Sequence, residues 1–146
     1  MRNKAFLWAF FDMTELDQLV FAAFASEGKQ EDVNKVYLAL LRTALLVPVK
    51  KEQSVDPEEP FSPLFAKVDD HYFMLAFDTK ERLMAWVGDQ EEHVGYVEIS
   101  GREVIAGISE QVFLCLNMGT EFYKEFSPDE VKRLKMIVSR IDQMKA

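Results

Sequence analysis

Three times along this chain a helix marks its own first turn. Asp78-Thr79-Lys80-Glu81, Ser100-Gly101-Arg102-Glu103 and Ser127-Pro128-Asp129-Glu130 each set a short polar side chain three residues ahead of a glutamate. In such a capping box the leading side chain accepts from a free backbone N–H of the first turn, and the glutamate reaches back to the cap's own N–H. Pro128 strengthens the third box, because proline is favoured at the first helical position. The first two boxes follow runs that read as strands, Tyr72–Phe77 and Val94–Ile99. Helices and strands must therefore be mixed along the chain.

The remaining segments fill in the order. Thr14-Glu15-Leu16-Asp17 opens a helix on which Leu16, Leu19, Val20, Ala23 and Phe24 recur at spacings of three and four, and Gly28 stops it. A second helix runs from about Glu31 to Thr43, with Val33, Val36, Tyr37, Leu40 and Leu41 on one stripe. Leu45–Val49 reads as a short strand, and Pro48 makes one of its sides an edge. Lys50–Pro60 is a charged surface loop. Leu64–Val68 and Tyr72–Phe77 flank Asp69-Asp70-His71 as a hairpin. Val112–Leu116 is a continuous apolar run closed by Asn117-Met118-Gly119, which suits a buried strand, and a short strand is expected at Glu121–Lys124. The expected fold is α+β, a single domain over residues 1–146. It has a mixed, mostly antiparallel sheet of about five strands, two N-terminal helices and one C-terminal amphipathic helix.

The 146 residues are 49% apolar, enough to bury a core without disulfides or metal. A formal net charge of −8 disfavours nucleic acid, which demands excess positive charge, and anionic membrane surfaces as well. The longest run without a charged residue, Gln111–Thr120, is far short of a bilayer span. Acids at Asp12, Glu15 and Asp17 interrupt the apolar start that loosely imitates a signal peptide, so a cytoplasmic location is expected.

Chemistry is sparse. His71 and His93 lie beside acids without metal-ligand spacing, and Cys115 sits inside an apolar strand, where a thiol is a small hydrophobe rather than a nucleophile. There is no nucleophile elbow, no dinucleotide fingerprint and no phosphate loop. No catalytic residue, metal site or cofactor is therefore assigned, and the expected role is not enzymatic. Two features fit recognition. Phe6, Trp8, Phe10 and Phe11 form a dense aromatic cluster in residues 1–12, read either as an extension of the first helix or as a patch for a protein partner or self-association. The C-terminal stretch 127–146 carries +2 against −10 for the rest, its Val131, Leu134, Val138 and Ile141 forming an apolar stripe. Lys132, Arg133, Lys135 and Arg140 are expected to be solvated.

The order of several segments carries a resemblance. Phe61-Ser62-Pro63-Leu64-Phe65, Ala76-Phe77-Asp78-Thr79-Lys80-Glu81-Arg82-Leu83 with Trp86, and Leu116-Asn117-Met118-Gly119-Thr120-Glu121-Phe122 occur in succession. With Ala44–Val49 before them and Ser127–Glu130 after, they resemble the N-terminal domain of the SseB family, bacterial proteins named for enhanced serine sensitivity. The resemblance covers about residues 14–140. It implies an α/β domain without an established activity or agreed catalytic residues. Met118 departs from the family pattern, where proline follows the asparagine, and the length accommodates no second domain.

Asn117, Thr120 and Glu121 gather polar side chains at the C-terminal end of a buried strand, where ligands often sit in α/β sheets. They form the candidate ligand or peptide site, unless they merely satisfy the turn's own backbone. The leading functional expectation is a non-catalytic protein-interaction or regulatory module. The alternatives are a small acidic secretion-chaperone-like protein and a small-ligand-binding regulator or enzyme using the Asn117–Phe122 turn.

Overall fold

A computed structural model describes residues 13–51 and 63–145. The chain divides into two compact units, Met1–Leu40 and Leu41–Ala146. The first holds helix α1 (Glu15–Ala25) and most of α2 (Gln30–Arg42). Thr14 caps α1 in a complete reciprocal box. Its hydroxyl accepts from the Asp17 N–H at 3.1 Å, and Asp17 Oδ2 accepts from the Thr14 N–H at 2.8 Å. Leu16 and Val20 of the expected stripe are buried, whereas Phe24 is 67% exposed. Gly28, in the left-handed region at φ +80°, donates to the Ala23 carbonyl and ends the helix. On α2, Val36, Tyr37 and Leu40 are buried.

The second unit contains six strands and three α-helices among the described residues. In chain order they are β1 (Ala44–Lys50), β2 (Phe65–Val68), β3 (His71–Ala76), α3 (Lys80–Val87), β4 (Val94–Ser100), α4 (Gly101–Gly107), β5 (Phe113–Leu116), β6 (Lys124–Phe126) and α5 (Pro128–Lys145). β1 and β4 form an antiparallel ribbon from Ala44↔Ser100 to Lys50↔Val94. The other four strands lie in the order β2-β3-β5-β6, antiparallel except for the parallel pair β3–β5. The architecture is α+β with mixed, mostly antiparallel strands. A bridge joins ribbon to sheet: the Leu46 N–H donates to Phe77 at 2.7 Å, and the Phe77 N–H returns to Leu46 at 2.9 Å. Pro48 lies on this same side of β1, where pairing thins to isolated bridges and no ladder needs the N–H that proline lacks. Leu45, Val47, Phe77, Leu83, Ile105, Leu114, Leu116, Phe126, Val131 and Leu134 are all at or near zero exposure and fill the core.

Three expectations need correction. The start of α3 is displaced by one residue: Thr79, not Asp78, accepts from the Arg82 N–H, at 3.2 Å. Asp78 is committed elsewhere, its N–H to Asn117 Oδ1 and its carboxylate to Arg82. The last strand covers Lys124–Phe126 rather than Glu121–Lys124, because residues 117–122 are held as a turn and Phe126 pairs with Leu114. Lys135 is only partly solvated: its Nζ donates to the Ile105 carbonyl at 2.8 Å and so satisfies the C-terminal end of α4. The serine side chains at Ser100 and Ser127 cap as expected, accepting from the Glu103 and Glu130 N–H groups, while Glu103 does not reach back.

Candidate functional site

Parallel pairing brings the C-terminal ends of β3 and β5 together, at Ala76↔Leu116. The Asn117 N–H prolongs the ladder by donating to Ala76 at 2.8 Å. Asn117 then turns the chain at φ +58°, a conformation that asparagine tolerates better than other non-glycine residues. Its fully buried amide accepts from the Asp78 N–H at 3.1 Å and faces the Phe122 carbonyl at 3.5 Å. The Thr120 hydroxyl donates to the Asn117 carbonyl at 2.8 Å and accepts from the Phe122 N–H at 3.1 Å. Thr120 thus spends its hydroxyl on the turn itself, and Asn117 divides its amide between the turn and the Asp78 N–H. Glu121 alone of the three candidate residues is exposed.

The same strand ends hold a charge pair that sequence reasoning missed. Arg82 Nη1 donates to Asp78 Oδ1 at 2.8 Å, with side chains only 8% and 2% exposed. The guanidinium carbon lies 4.0 Å from the centre of the Phe122 ring, a cation–π contact. An Asp and an Arg four residues apart at a helix start signal an ion pair in any sequence; their burial depends on Phe122, forty positions on. Together Asp78, Arg82, Asn117, Thr120 and Phe122 lock two strand ends and a helix start into one hydrogen-bonded unit. Such a unit rigidifies the sheet's end, and its opposite charges neutralise each other.

Elsewhere the reactive side chains are quiet. Burial pushes the Cys115 thiol up, offset in part by its contact with the Tyr123 hydroxyl at 3.5 Å. Tyr123 donates to Glu125 at 2.8 Å, and its phenol is also raised, first by burial. A raised thiol is a poor nucleophile. The His71 ring meets Phe113 edge-on at 5.5 Å. Among the described residues no group of three or more His, Cys, Asp or Glu is placed to hold a metal. Phe6, Trp8, Phe10 and Phe11 lie outside the described residues.

The concave surface best suited to a partner lies away from the turn. A cavity of about 540 Å³ opens between the β2–β3 hairpin, the end of β4 and helix α4. Phe65, Met74, Ile99, Val104 and Ile108 give it apolar walls, and Glu103 stands in the lining. Phe65 is 49% exposed. Glu103 donates its N–H to the Ser100 hydroxyl, but its carboxylate makes no hydrogen bond or ion pair among the described residues. The reaching-back half of the expected capping box is absent here, and this lining residue's carboxylate is unpaired among the described residues. Only the spacing of Ser100 and Glu103 was visible in the sequence; the cavity arises from elements far apart in the chain.

The sequence model of one family, described as the SseB protein N-terminal domain, matches residues 17–133. No curated protein and no solved structure matches the chain.

Proposed function

The chain belongs to the SseB family, matching its N-terminal domain over most of the sequence, and we propose that it acts as a non-catalytic protein-interaction module. The cavity between the hairpin and α4 supports this reading. Its walls suit an apolar side chain, and the unpaired Glu103 carboxylate suits a basic residue next to it. The favoured partner is therefore an extended protein segment carrying an apolar anchor beside a lysine or arginine. The net charge of −8 favours the same partner at longer range. No helix among the described residues is long and apolar enough to cross a membrane, and the proposed setting is the cytoplasm.

The apolar cavity also favours a second reading, that of a small acidic secretion-chaperone-like protein, whose client segment would have the same chemistry. A photo-crosslinking residue at position 65, used in the native host, tests the shared core of both. We expect it to capture a segment with an apolar anchor and an adjacent base, and Glu103→Lys to abolish that capture. Crosslinking no stronger than from exposed Lys80 would refute the reading.

A further inference from the structure

Helix α4 walls the cavity, yet its own sequence holds it weakly. It has seven residues with glycine at both ends, and helices shorter than about 12 residues are marginal in isolation. At Gly107 nothing lies within 4 Å of where a Cβ would stand, so packing does not demand glycine there and the helix only loses propensity. The residues of α4 divide by side. Glu103, Val104 and Gly107 line the cavity. Ala106 lines a cleft on the other side, together with Lys135, Val138 and Asp142 of α5. At 3.6 residues per turn Arg102 and Ile105 share the side of Ala106.

The two ends of α4 are secured unequally. At its start β4 leads directly into the helix, the Gly101 N–H donates to the Thr43 carbonyl at 2.8 Å, and Ser100 caps the first turn. Arg102 also pairs with Asp142 of α5, but these side chains are 42% and 49% exposed, and exposed pairs contribute little. The far end depends more on one side chain. There the Ile108 N–H takes the Val104 carbonyl at 2.9 Å, and Lys135 Nζ donates to the carbonyls of Ile105 at 2.8 Å and Ala106 at 3.5 Å. Ile105 is wholly buried, and neither carbonyl has another donor among the described residues. An ammonium at this end also complements the helix dipole. We propose that Lys135 is a positioning residue of the cavity. From behind α4 it fixes the last turn, which carries Gly107 and leads into Ile108, and so sets how firmly the cavity grips its occupant. Displacing α5 would then loosen the cavity without touching its lining.

Backbone order measured by NMR relaxation tests the positioning without any partner. Lys135→Met keeps the alkyl stem and removes the donor, leaving the Ile105 carbonyl unpaired. Order parameters at Ala106, Gly107 and Ile108 are expected to fall from about 0.85 to below about 0.6, while β3 and β5 stay near 0.85. Lys135→Arg should restore the rigid turn, and Asp142→Asn should leave it rigid. The consequence for binding rests on the cavity being the partner site. There, photo-capture from position 65 should fall several-fold in folded Lys135→Met and recover in Lys135→Arg. If the unaltered protein captures nothing, the partner site fails, and the order parameters still decide for or against Lys135. A rigid Ala106–Ile108 turn in Lys135→Met, loosening that spreads to β3 and β5, or no recovery with Lys135→Arg would overturn the proposal.

Discussion

Arg82 and Asn117 show what single side chains do at the joined strand ends. Removing one member of a buried ion pair strands the other, so Arg82→Ala should cost about 3–5 kcal/mol in urea unfolding. Replacing both, Asp78→Leu with Arg82→Met, should cost much less than the sum of the singles, because no charge is left unpaired. Cys115 and Tyr123 predict an alkaline effect. Both groups are raised in the folded protein, so the folded state favours their protonated forms. Their contribution is full below the ordinary thiol value of 9.0 and is lost as pH climbs through the alkaline range. Stability measured against pH should fall more steeply there than in Cys115→Ala. For the same reason, thiol reagents should label Cys115 only as fast as the protein unfolds.

Among elements, the local signals were legible and the distant ones were not. Caps at Thr14, Ser100 and Ser127 depend on residues three positions away, and they stand where the sequence put them. Ser100→Ala should therefore cost about 1 kcal/mol in thermal or urea unfolding. The cap at residue 78 failed because its carboxylate accepts from Arg82, while Asn117, 39 positions away, takes the N–H that Glu81 would have reached. Gly119, in the turn expected to close Val112–Leu116, lies in the left-handed region at φ +82°. The burial of Arg82 and the cavity wall around Glu103 could not be read from periodicity, since both depend on which strands become neighbours. The hairpin turn offers one more test. Asp69 and Asp70 both sit in the left-handed region, at φ 48° and 68°, a turn that favours Asn-Gly. Asp70→Gly should stabilise the protein by about 1 kcal/mol, read as a raised urea midpoint.

For the whole molecule, charge and topology set behaviour that no local motif reveals. The acidity of residues 1–126 should make capture of a basic partner segment weaken as salt rises, with binding measured by anisotropy at graded ionic strength. The family could be recognised from sequence because its segments keep their order; what they build, a ribbon bridged to a sheet, could not. That topology has a further consequence. β1 pairs with β4 while β3, which lies between them in the chain, pairs with β5, which lies beyond β4. The two pairings interlock like crossed brackets. A cut at Glu91-Glu92 would part β1 from β4 and β3 from β5 at one stroke, leaving neither piece with a finished sheet. The two pieces are expected to remain unfolded alone and to regain structure only when mixed, read as circular dichroism of each piece and of the mixture, as the halves of a split reporter would.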